Sequence, residues 1–138
     1  MTVAGAVVSS IGQGLLVFMG VEEADTRDDI SLLAKKLSNL RIFCDSEGVM
    51  NLSVRDVGGD ILVVSQFTLH SMVKKGNRPS YIRAARPETA VPLYEAFVAA
   101  VSGELQKEVY TGKFGADMKV RLLNDGPVTI WMDSKNLE

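Results

Sequence analysis

The sequence predicts an α+β fold: a curved, barrel-like, mixed or antiparallel sheet of about six or seven strands with two main helices packed on it. β-rich apolar segments occur near both ends of the chain and in its middle, and two other segments carry apolar residues at helical spacing. Turn signals rich in Gly, Asn and Pro separate these segments. With 138 residues, 46% of them hydrophobic, the chain is expected to form a single domain over residues 1–138.

The first third of the chain predicts two strands and a helix. Val3–Ser9 and Leu15–Val21 are β-rich, and a turn with two glycines separates them. Thr26 is expected to cap the helix, with Asp29 completing a capping box. The buried stripe of this helix is expected to contain Ile30, Leu33, Ala34, Leu37 and Leu40.

A central strand and a second helix follow. Ile61–Phe67 is an apolar run that predicts a strand buried on both faces. The helix should cover Pro87–Ser102 and start near Thr89, because Pro92 is tolerated only in a first turn. Gly103 is the expected C-cap residue. The side chains expected to face inward are Val91, Tyr94, Phe97, Val98 and Val101.

The last third of the chain predicts β-structure again. Apolar and basic residues alternate over Met118–Leu122, which is the pattern of a half-exposed strand. An Asn-Asp-Gly-Pro turn then leads into a second apolar segment, Val128–Met132. We therefore expect two strands joined by this turn.

Charge and composition limit the kinds of partner. The net charge of −2 argues against broad, non-specific nucleic-acid binding, although it allows a local RNA contact. No apolar run approaches the roughly 20 residues that cross a bilayer, and no signal-peptide pattern is present, so we expect a cytoplasmic protein without a membrane partner. A basic run without acidic residues is either a solvated loop or a phosphate-contacting rim. It contains Lys74, Lys75, Arg78, Arg83 and Arg86.

Several common catalytic arrangements cannot be built from this sequence. One histidine, His70, and one cysteine, Cys44, are too few for a His/Cys zinc cluster, and no glycine-rich phosphate loop is present. A Ser-His-Asp triad would need His70, but Ser65 and His70 would point to opposite faces of a strand. We expect no metal, no cofactor and no strong protein nucleophile or base.

Two polar segments remain unusual. The first, Ser65–Leu69, ends an otherwise apolar strand, and its polar groups either line a pocket or satisfy the fraying backbone. The second, Asn124–Thr129, is either an ordinary hairpin loop or a turn with a cis bond between Gly126 and Pro127. An X–Pro bond prefers trans by only about 0.5–1 kcal/mol, and a cis turn could direct two carbonyls toward an ammonium group.

Together these segments resemble the paired signatures of the D-aminoacyl-tRNA deacylases, Ser-Gln-Phe-Thr-Leu and Asn-x-Gly-Pro-x-Thr. Lys75–Tyr81 resembles the family's basic loop, and Thr111–Met118 resembles its approach to the final hairpin. Leu40–Phe43 and Gly48–Asn51 match further family stretches. The resemblance extends from Val3 to Ser134. Family members begin earlier, with a strand carrying an Ile-Gln-Arg-Val-like segment, so this chain is expected to lack the family's first strand.

The resemblance implies hydrolysis of D-aminoacyl-tRNA to free D-amino acid and tRNA, a quality-control step in translation, with glycyl-tRNA left open as a further substrate. It implies a homodimer with the active site at the subunit interface, and a 2′-hydroxyl of the tRNA in place of a protein base. No role is expected for His70, and no DNA partner. The alternative is a non-catalytic nucleic-acid-binding accessory protein on the same scaffold.

The resemblance also assigns residues. The catalytic residues would be Ser65, Gln66 and Thr68. Substrate would be bound by Phe67, Asn124, Gly126 and Pro127. The tRNA would be held by Lys74, Lys75, Arg78 and Tyr81.

Overall fold

The computed structural model describes residues 1–138, which form two α-helices and eight short strands. In chain order these are β1 (Thr2–Val3), β2 (Ala6–Val7), β3 (Gly14–Met19), α1 (Arg27–Asn39), β4 (Phe43–Cys44), β5 (Met50–Leu52), β6 (Asp60–Ser65), α2 (Pro87–Leu105), β7 (Tyr110–Thr111) and β8 (Met118–Lys119). A short 3-10 helix, Phe67–His70, follows β6 directly. Neither α1 nor α2 could serve as a bilayer-spanning segment.

The strands form three small sheets. β6 lies between β3 and β7, and both pairs are parallel, whereas β1 lies between β2 and β8 in an antiparallel sheet, and β4 pairs with β5. The α+β class is confirmed, but the expected barrel-like sheet of six or seven strands is wrong. Most strands have only two or three residues, and pairs such as β1–β8 join distant parts of the chain, so no local pattern reports them.

β6 is the centre of the core. Its residues Ile61, Leu62, Val63 and Val64 are at most 5% exposed, which confirms the prediction of a strand buried on both faces. The Tyr94 hydroxyl of α2 donates a hydrogen bond of 2.7 Å to the Val63 carbonyl, and burial raises the pKa of Tyr94. β6 is thus tied to a helix on one side and to parallel strands along both edges.

The predicted N-terminus of α1 is confirmed. Thr26 Oγ1 accepts from the Asp28 backbone N–H at 3.3 Å, and Asp29 Oδ2 accepts from the Thr26 backbone N–H at 2.8 Å. These two bonds satisfy backbone donors that have no partner inside the helix. Ile30, Ala34 and Leu37 are buried as expected.

α2 differs from the prediction at both ends. It starts at Pro87, which places Pro92 inside the helix and beyond its first turn. Pro92 lies on the exposed face, where the carbonyl that loses its helical donor is open to solvent. The helix ends at Leu105 and is followed by the C-cap residue Gln106 in a left-handed conformation, whereas Gly103 is an interior residue. The buried face contains Ala90, Leu93, Tyr94, Phe97 and Val101, so Val91 and Val98 lie beside it.

Two predicted strands are also corrected. The segment Val3–Ser9 forms part of a tight hairpin, because Ala4 and Gly5 both have positive φ and turn the chain between β1 and β2. Val128–Met132 forms no strand, and β8 ends at Lys119. The C-terminal segment therefore has no ladder partner within the chain, although its apolar side chains are typical of a strand.

Lys135 ties the C-terminal segment to the start of α1, and we expect its loss to reduce stability. Its Nζ lies 2.7 Å from Asp29 Oδ1 and 3.2 Å from Asp25 Oδ1. Lys135, followed by the Thr26 backbone N–H, lowers the pKa of Asp29 from 3.8 to about 2. A carboxyl with a lowered folded-state pKa stabilises the protein above its unfolded pKa and loses that contribution as pH falls through the folded value.

Lys135→Ala should accordingly lower the free energy of unfolding at about pH 5, and the difference from the parent should shrink as pH falls from about 4 to about 2. Urea denaturation across this range measures it. Lys119→Ala is the control, because Lys119 and its partner Asp117 are both largely exposed. A Lys135→Ala difference that is absent at pH 5, or that does not depend on pH, would contradict this account.

Candidate active site

The first polar motif, Ser65–Leu69, begins at the last residue of β6. Ser65 pairs with Met19 as the last residue of the parallel β3–β6 ladder, and the Gln66 backbone N–H continues it with a bond of 2.8 Å to the Met19 carbonyl. The chain then turns into the 3-10 helix. Within that turn the Leu69 N–H bonds to the Gln66 carbonyl at 3.3 Å, and the Ser71 N–H bonds to the Thr68 carbonyl at 3.1 Å. The motif therefore lies at the carboxyl end of a buried strand, a usual place for ligand sites in sheets with parallel strands.

Gln66 and Thr68 are joined by their side chains. The Gln66 amide nitrogen Nε2 donates to Thr68 Oγ1, and both residues are half-buried. An amide N–H group has no basic lone pair, so it cannot take a proton from the hydroxyl. Because Thr68 Oγ1 already accepts a hydrogen bond, its own hydrogen is available to donate. The arrangement suits Thr68 as a hydrogen-bond donor to an oxygen and gives it no base for nucleophilic attack.

Phe67 and Tyr81 connect the motif to the basic loop. Their ring centroids lie 5.0 Å apart with an interplanar angle of 81°, an edge-to-face pair. Phe67 is 56% exposed and Tyr81 is 38% exposed. The two rings therefore offer an aromatic surface to solvent beside the half-buried polar groups.

The second motif forms a braced turn. The Gly126–Pro127 bond is cis, the second of the two alternatives that the sequence left open, and Gly126 has a φ of +132°, which favours glycine. Asn124 braces the turn, because its Oδ1 accepts from the Val128 N–H at 2.9 Å and its Nδ2 donates to Thr129 Oγ1 at 2.9 Å. Gly126 and Pro127 are exposed, and within one chain no hydrogen bond joins this turn to residues 65–70.

The basic loop, residues 73–79, is closed at its base by a backbone clamp between Met72 and Ser80. Met72 and Ser80 exchange two hydrogen bonds of 2.8 and 2.9 Å, which hold the loop closed at its base. Lys74, Lys75 and Arg78 are exposed and form no ion pair. Their charges are therefore available to a ligand.

One acidic residue beside the motif, Glu22, was not singled out by any pattern in the sequence. Glu22 follows β3, and its Oε1 lies 3.2 Å from His70 Nδ1 and 2.6 Å from Arg83 Nη2. No spacing rule connects residues so far apart in the chain. The cluster becomes visible only once β3 and β6 lie side by side. No group of three or more His, Cys, Asp or Glu residues is placed to hold a metal ion.

Comparisons with known proteins identify the family. Residues 1–133 match the family model described as D-Tyr-tRNA(Tyr) deacylase. The chain belongs to this family. The D-aminoacyl-tRNA deacylase of Bacteroides thetaiotaomicron is 62% identical to it over 137 residues, which are 99% of this chain and 91% of that relative. The resemblance that the motifs predicted is confirmed.

Two solved structures share the deacylase fold. The c-Myc DNA unwinding element binding protein superposes with a TM-score of 0.86 at 40% identity, covering 94% of this chain and 87% of that protein. A probable eukaryotic D-amino acid tRNA deacylase superposes with a TM-score of 0.69, covering 80% of each chain. At 19% identity the second likeness shows the fold alone.

Proposed function

We propose that this chain hydrolyses the ester bond of D-aminoacyl-tRNA, releasing the free D-amino acid and tRNA as a quality-control step in translation. The observation that carries the proposal is the family match over residues 1–133, which includes both polar motifs. The reaction would be carried out by one domain spanning residues 1–138. It would take place in the cytoplasm, where tRNA is charged and used.

Thr68 is proposed to donate a hydrogen bond to the substrate's carbonyl oxygen. When water attacks the carbonyl carbon, that oxygen gains negative charge, and a placed donor stabilises it. Gln66 orients the Thr68 hydroxyl through its amide, and Ser65 forms part of the pocket floor. The ester C–O bond then breaks, and the tRNA 3′-oxygen takes a proton.

The substrate's own 2′-hydroxyl is proposed to assist this proton transfer. Thr68 has only an amide beside its hydroxyl, so the chain supplies no base at this point. The 2′-hydroxyl lies on the ribose carbon next to the one that carries the ester oxygen, and it can exchange protons with the attacking water and the leaving oxygen. This assignment follows from the resemblance and agrees with the local chemistry.

Gly126 and Pro127 are proposed to bind the substrate's amino group through their main-chain carbonyls. Asn124 supports this role because it holds the turn at both Val128 and Thr129 and so fixes its shape. Holding the amino group at this turn and the ester carbonyl at Thr68 fixes two substituents of the α-carbon, so the side chains of the D and L forms would point in different directions. The side chain of the D form would lie toward the Phe67 ring, where there is space. The side chain of the L form would collide with the main chain of the Gly126–Pro127 turn.

The basic loop and the aromatic pair are proposed to hold the tRNA acceptor end. Lys74, Lys75 and Arg78 carry free charges suited to phosphates. Tyr81 and Phe67 present ring surfaces on which an unpaired base can stack. A local basic loop of this kind is compatible with the net charge of −2, because the remaining surface is acidic.

We also propose that the active form is a homodimer, with the site at the subunit interface. The single chain exposes 9183 Å², about 2,000 Å² more than the roughly 7,000 Å² expected for a compact monomer of its 15.0 kDa mass. A standard interface buries about 800 Å² of each partner. Large apolar side chains flank the Gly126–Pro127 turn, with Leu123 89% exposed and Trp131 68% exposed. A second copy covering them would bring the turn of one chain to the Thr68 pocket of the other.

Leu123→Glu should convert a dimer of about 30 kDa, twice the 15.0 kDa of one chain, into a monomer, because it places a charge in the proposed apolar contact. Light scattering after size exclusion gives the mass, and deacylation should be lost with dimerisation. Val49→Glu is the matched control, since Val49 is 50% exposed next to β5 and no hydrogen bond joins it to the turn. A parent protein that is monomeric, or an active Leu123→Glu monomer, would overturn this part of the proposal.

One experiment distinguishes a deacylase from a protein that binds nucleic acid without catalysing a reaction. The name of one structural neighbour says that it binds a DNA element, and the same scaffold could bind nucleic acid without reacting. We expect the purified protein to release many equivalents of D-tyrosine from D-tyrosyl-tRNA per active site. Tight, stoichiometric binding of tRNA or duplex DNA without release of D-tyrosine would favour the binding function.

A further inference from the structure

Besides the Met72–Ser80 clamp, the basic loop and the 3-10 helix share a contact with one side chain. His70, the last residue of the 3-10 helix, precedes the loop, and Arg83 follows it. Glu22 Oε1 lies 3.2 Å from His70 Nδ1 and 2.6 Å from Arg83 Nη2. One carboxylate oxygen therefore holds the element that carries Thr68 and the loop that carries Lys74 and Lys75.

Glu22 is itself held rigidly. Its backbone N–H donates to Asp25 Oδ2 at 2.8 Å, and its carbonyl accepts from the Asp25 N–H at 3.1 Å. An isolated antiparallel bridge joins Glu22 to Ala84, and the Ala85 N–H donates to the Val21 carbonyl at 2.8 Å. The carboxylate thus projects from a backbone fixed to the end of β3 and to the chain leaving the loop.

The imidazole of His70 is wedged between Glu22 and Gly20. Its Nε2 is buried and has no hydrogen-bond partner, and a Cβ on residue 20 would lie 2.9 Å from it and 3.2 Å from the Gln66 carbonyl oxygen. The tautomer with its proton on Nδ1 leaves no N–H group at the unpartnered nitrogen and places its N–H group on the side of Glu22, whose Oε1 lies 3.2 Å from Nδ1 without forming a well-aligned hydrogen bond. The Glu22 carboxylate and Gly20 therefore confine the His70 ring from two sides.

Solvent exposure indicates which of the two contacts is stronger. The side chains of His70 and Glu22 are 19% and 25% exposed, whereas that of Arg83 is 53% exposed. Exposed ion pairs contribute little to stability, because solvent and salt screen them. Removing the partner of a largely buried polar group is more destabilising, because the group is left unpaired away from water. Loss of Glu22 should hence disturb the 3-10 helix more strongly than the far end of the loop.

We propose that Glu22 is a positioning residue that sets the 3-10 helix and the basic loop relative to each other, acting through His70 on Thr68 and through Arg83 on the loop. This inference rests on the proposed deacylase function. It predicts a separation of effects. Disturbing His70 should lower kcat, because Thr68 shifts, and disturbing Arg83 should raise KM for tRNA, because the loop shifts.

The kinetic test uses D-tyrosyl-tRNA and four variants. Glu22→Ala should lower kcat/KM by about tenfold or more, with changes in both kcat and KM. Glu22→Gln keeps an acceptor oxygen for His70 and loses the charge facing Arg83, so kcat should return toward the parent value while KM stays raised. Gly20→Ala, which presses on His70 from the other side, should lower kcat. Glu95→Ala is the control, because Glu95 is exposed on α2 and has no ion-pair or hydrogen-bond partner, and it should behave as the parent.

A second measurement does not depend on activity. Trypsin should cleave after Lys74 and Lys75 faster in Glu22→Ala than in the parent or in Glu95→Ala, because the Met72–Ser80 clamp is then the only contact left to hold the base of the loop against the 3-10 helix. Parent protein without deacylase activity would refute the proposed function, and the cleavage rates would still test the anchor. An active parent whose Glu22→Ala variant matches Glu95→Ala in kcat, KM and cleavage rate would overturn the anchor alone.

Discussion

D-Tyrosyl-tRNA that carries hydrogen in place of the 2′-hydroxyl of its terminal adenosine should be hydrolysed about 10³-fold more slowly than the natural substrate, within the range of general acid–base contributions. The reason is the surroundings of Thr68. Its hydroxyl has only the Gln66 amide beside it, and an amide cannot act as a base. If the protein supplies no proton acceptor there, loss of the substrate's own hydroxyl should be the most damaging single change.

The rate loss in Thr68→Ala should be compared with the loss on the 2′-deoxy substrate, because the two together show whether Thr68 is the nucleophile. One donor to the developing oxyanion is lost, but the substrate's 2′-hydroxyl remains, so the rate should fall by about tenfold to a hundredfold, roughly 1.4–2.7 kcal/mol of transition-state stabilisation. Single-turnover rates at saturating enzyme measure both changes. Full activity on the 2′-deoxy substrate together with no activity in Thr68→Ala, or a trapped aminoacyl ester on Thr68, would show that Thr68 is the nucleophile.

Replacing Lys74, Lys75 and Arg78 together with Ala should weaken tRNA binding and flatten its dependence on salt. Each lost phosphate contact reduces the slope of log K against log salt by about 0.7–0.9, so a decrease of about 2 is expected if all three side chains take part. The chemical step at saturating tRNA should change little, because none of these side chains contacts Thr68. Binding isotherms at several salt concentrations give the slope.

A matched triple variant separates local contact from net charge. Arg27, Lys35 and Lys36 are exposed on α1, and replacing them with Ala removes the same total charge. This variant should keep the parent slope. If the two triple variants weaken binding equally, or if neither changes the slope, the basic loop is a solvated surface without a role in tRNA binding.

The sequence was most informative where structure depends on neighbouring residues. The Thr26–Asp29 capping box, the buried strand β6 and the turn at Asn124–Pro127 are local, so their residue patterns were enough to predict them, although the bracing of that turn by Asn124 was not predicted. α2 departed from the rule for Pro92 because an exposed proline leaves its freed carbonyl open to solvent.

Contacts between distant segments could not be read from the sequence. The pairing of β1 with β8 joins the two ends of the chain, and the two-residue strands involved have no periodicity to detect. The anchor of His70 by Glu22 depends on the register of β3 against β6, which places Met19 beside Ser65. The resemblance to a family supplied residue roles but could give no reason for Glu22 or for the packing of His70 against Gly20.

We propose that this chain selects its substrate by the handedness of the amino acid, through main-chain groups and pocket shape. Matched D- and L-tyrosyl-tRNA, with the same tRNA and the same ester, differ only in that handedness. We expect the purified protein to hydrolyse the D-ester with a kcat/KM at least about 10³-fold higher than the L-ester, a difference of about 4 kcal/mol in transition-state free energy. Equal rates on the two esters, or a preference for the L-ester, would contradict the account.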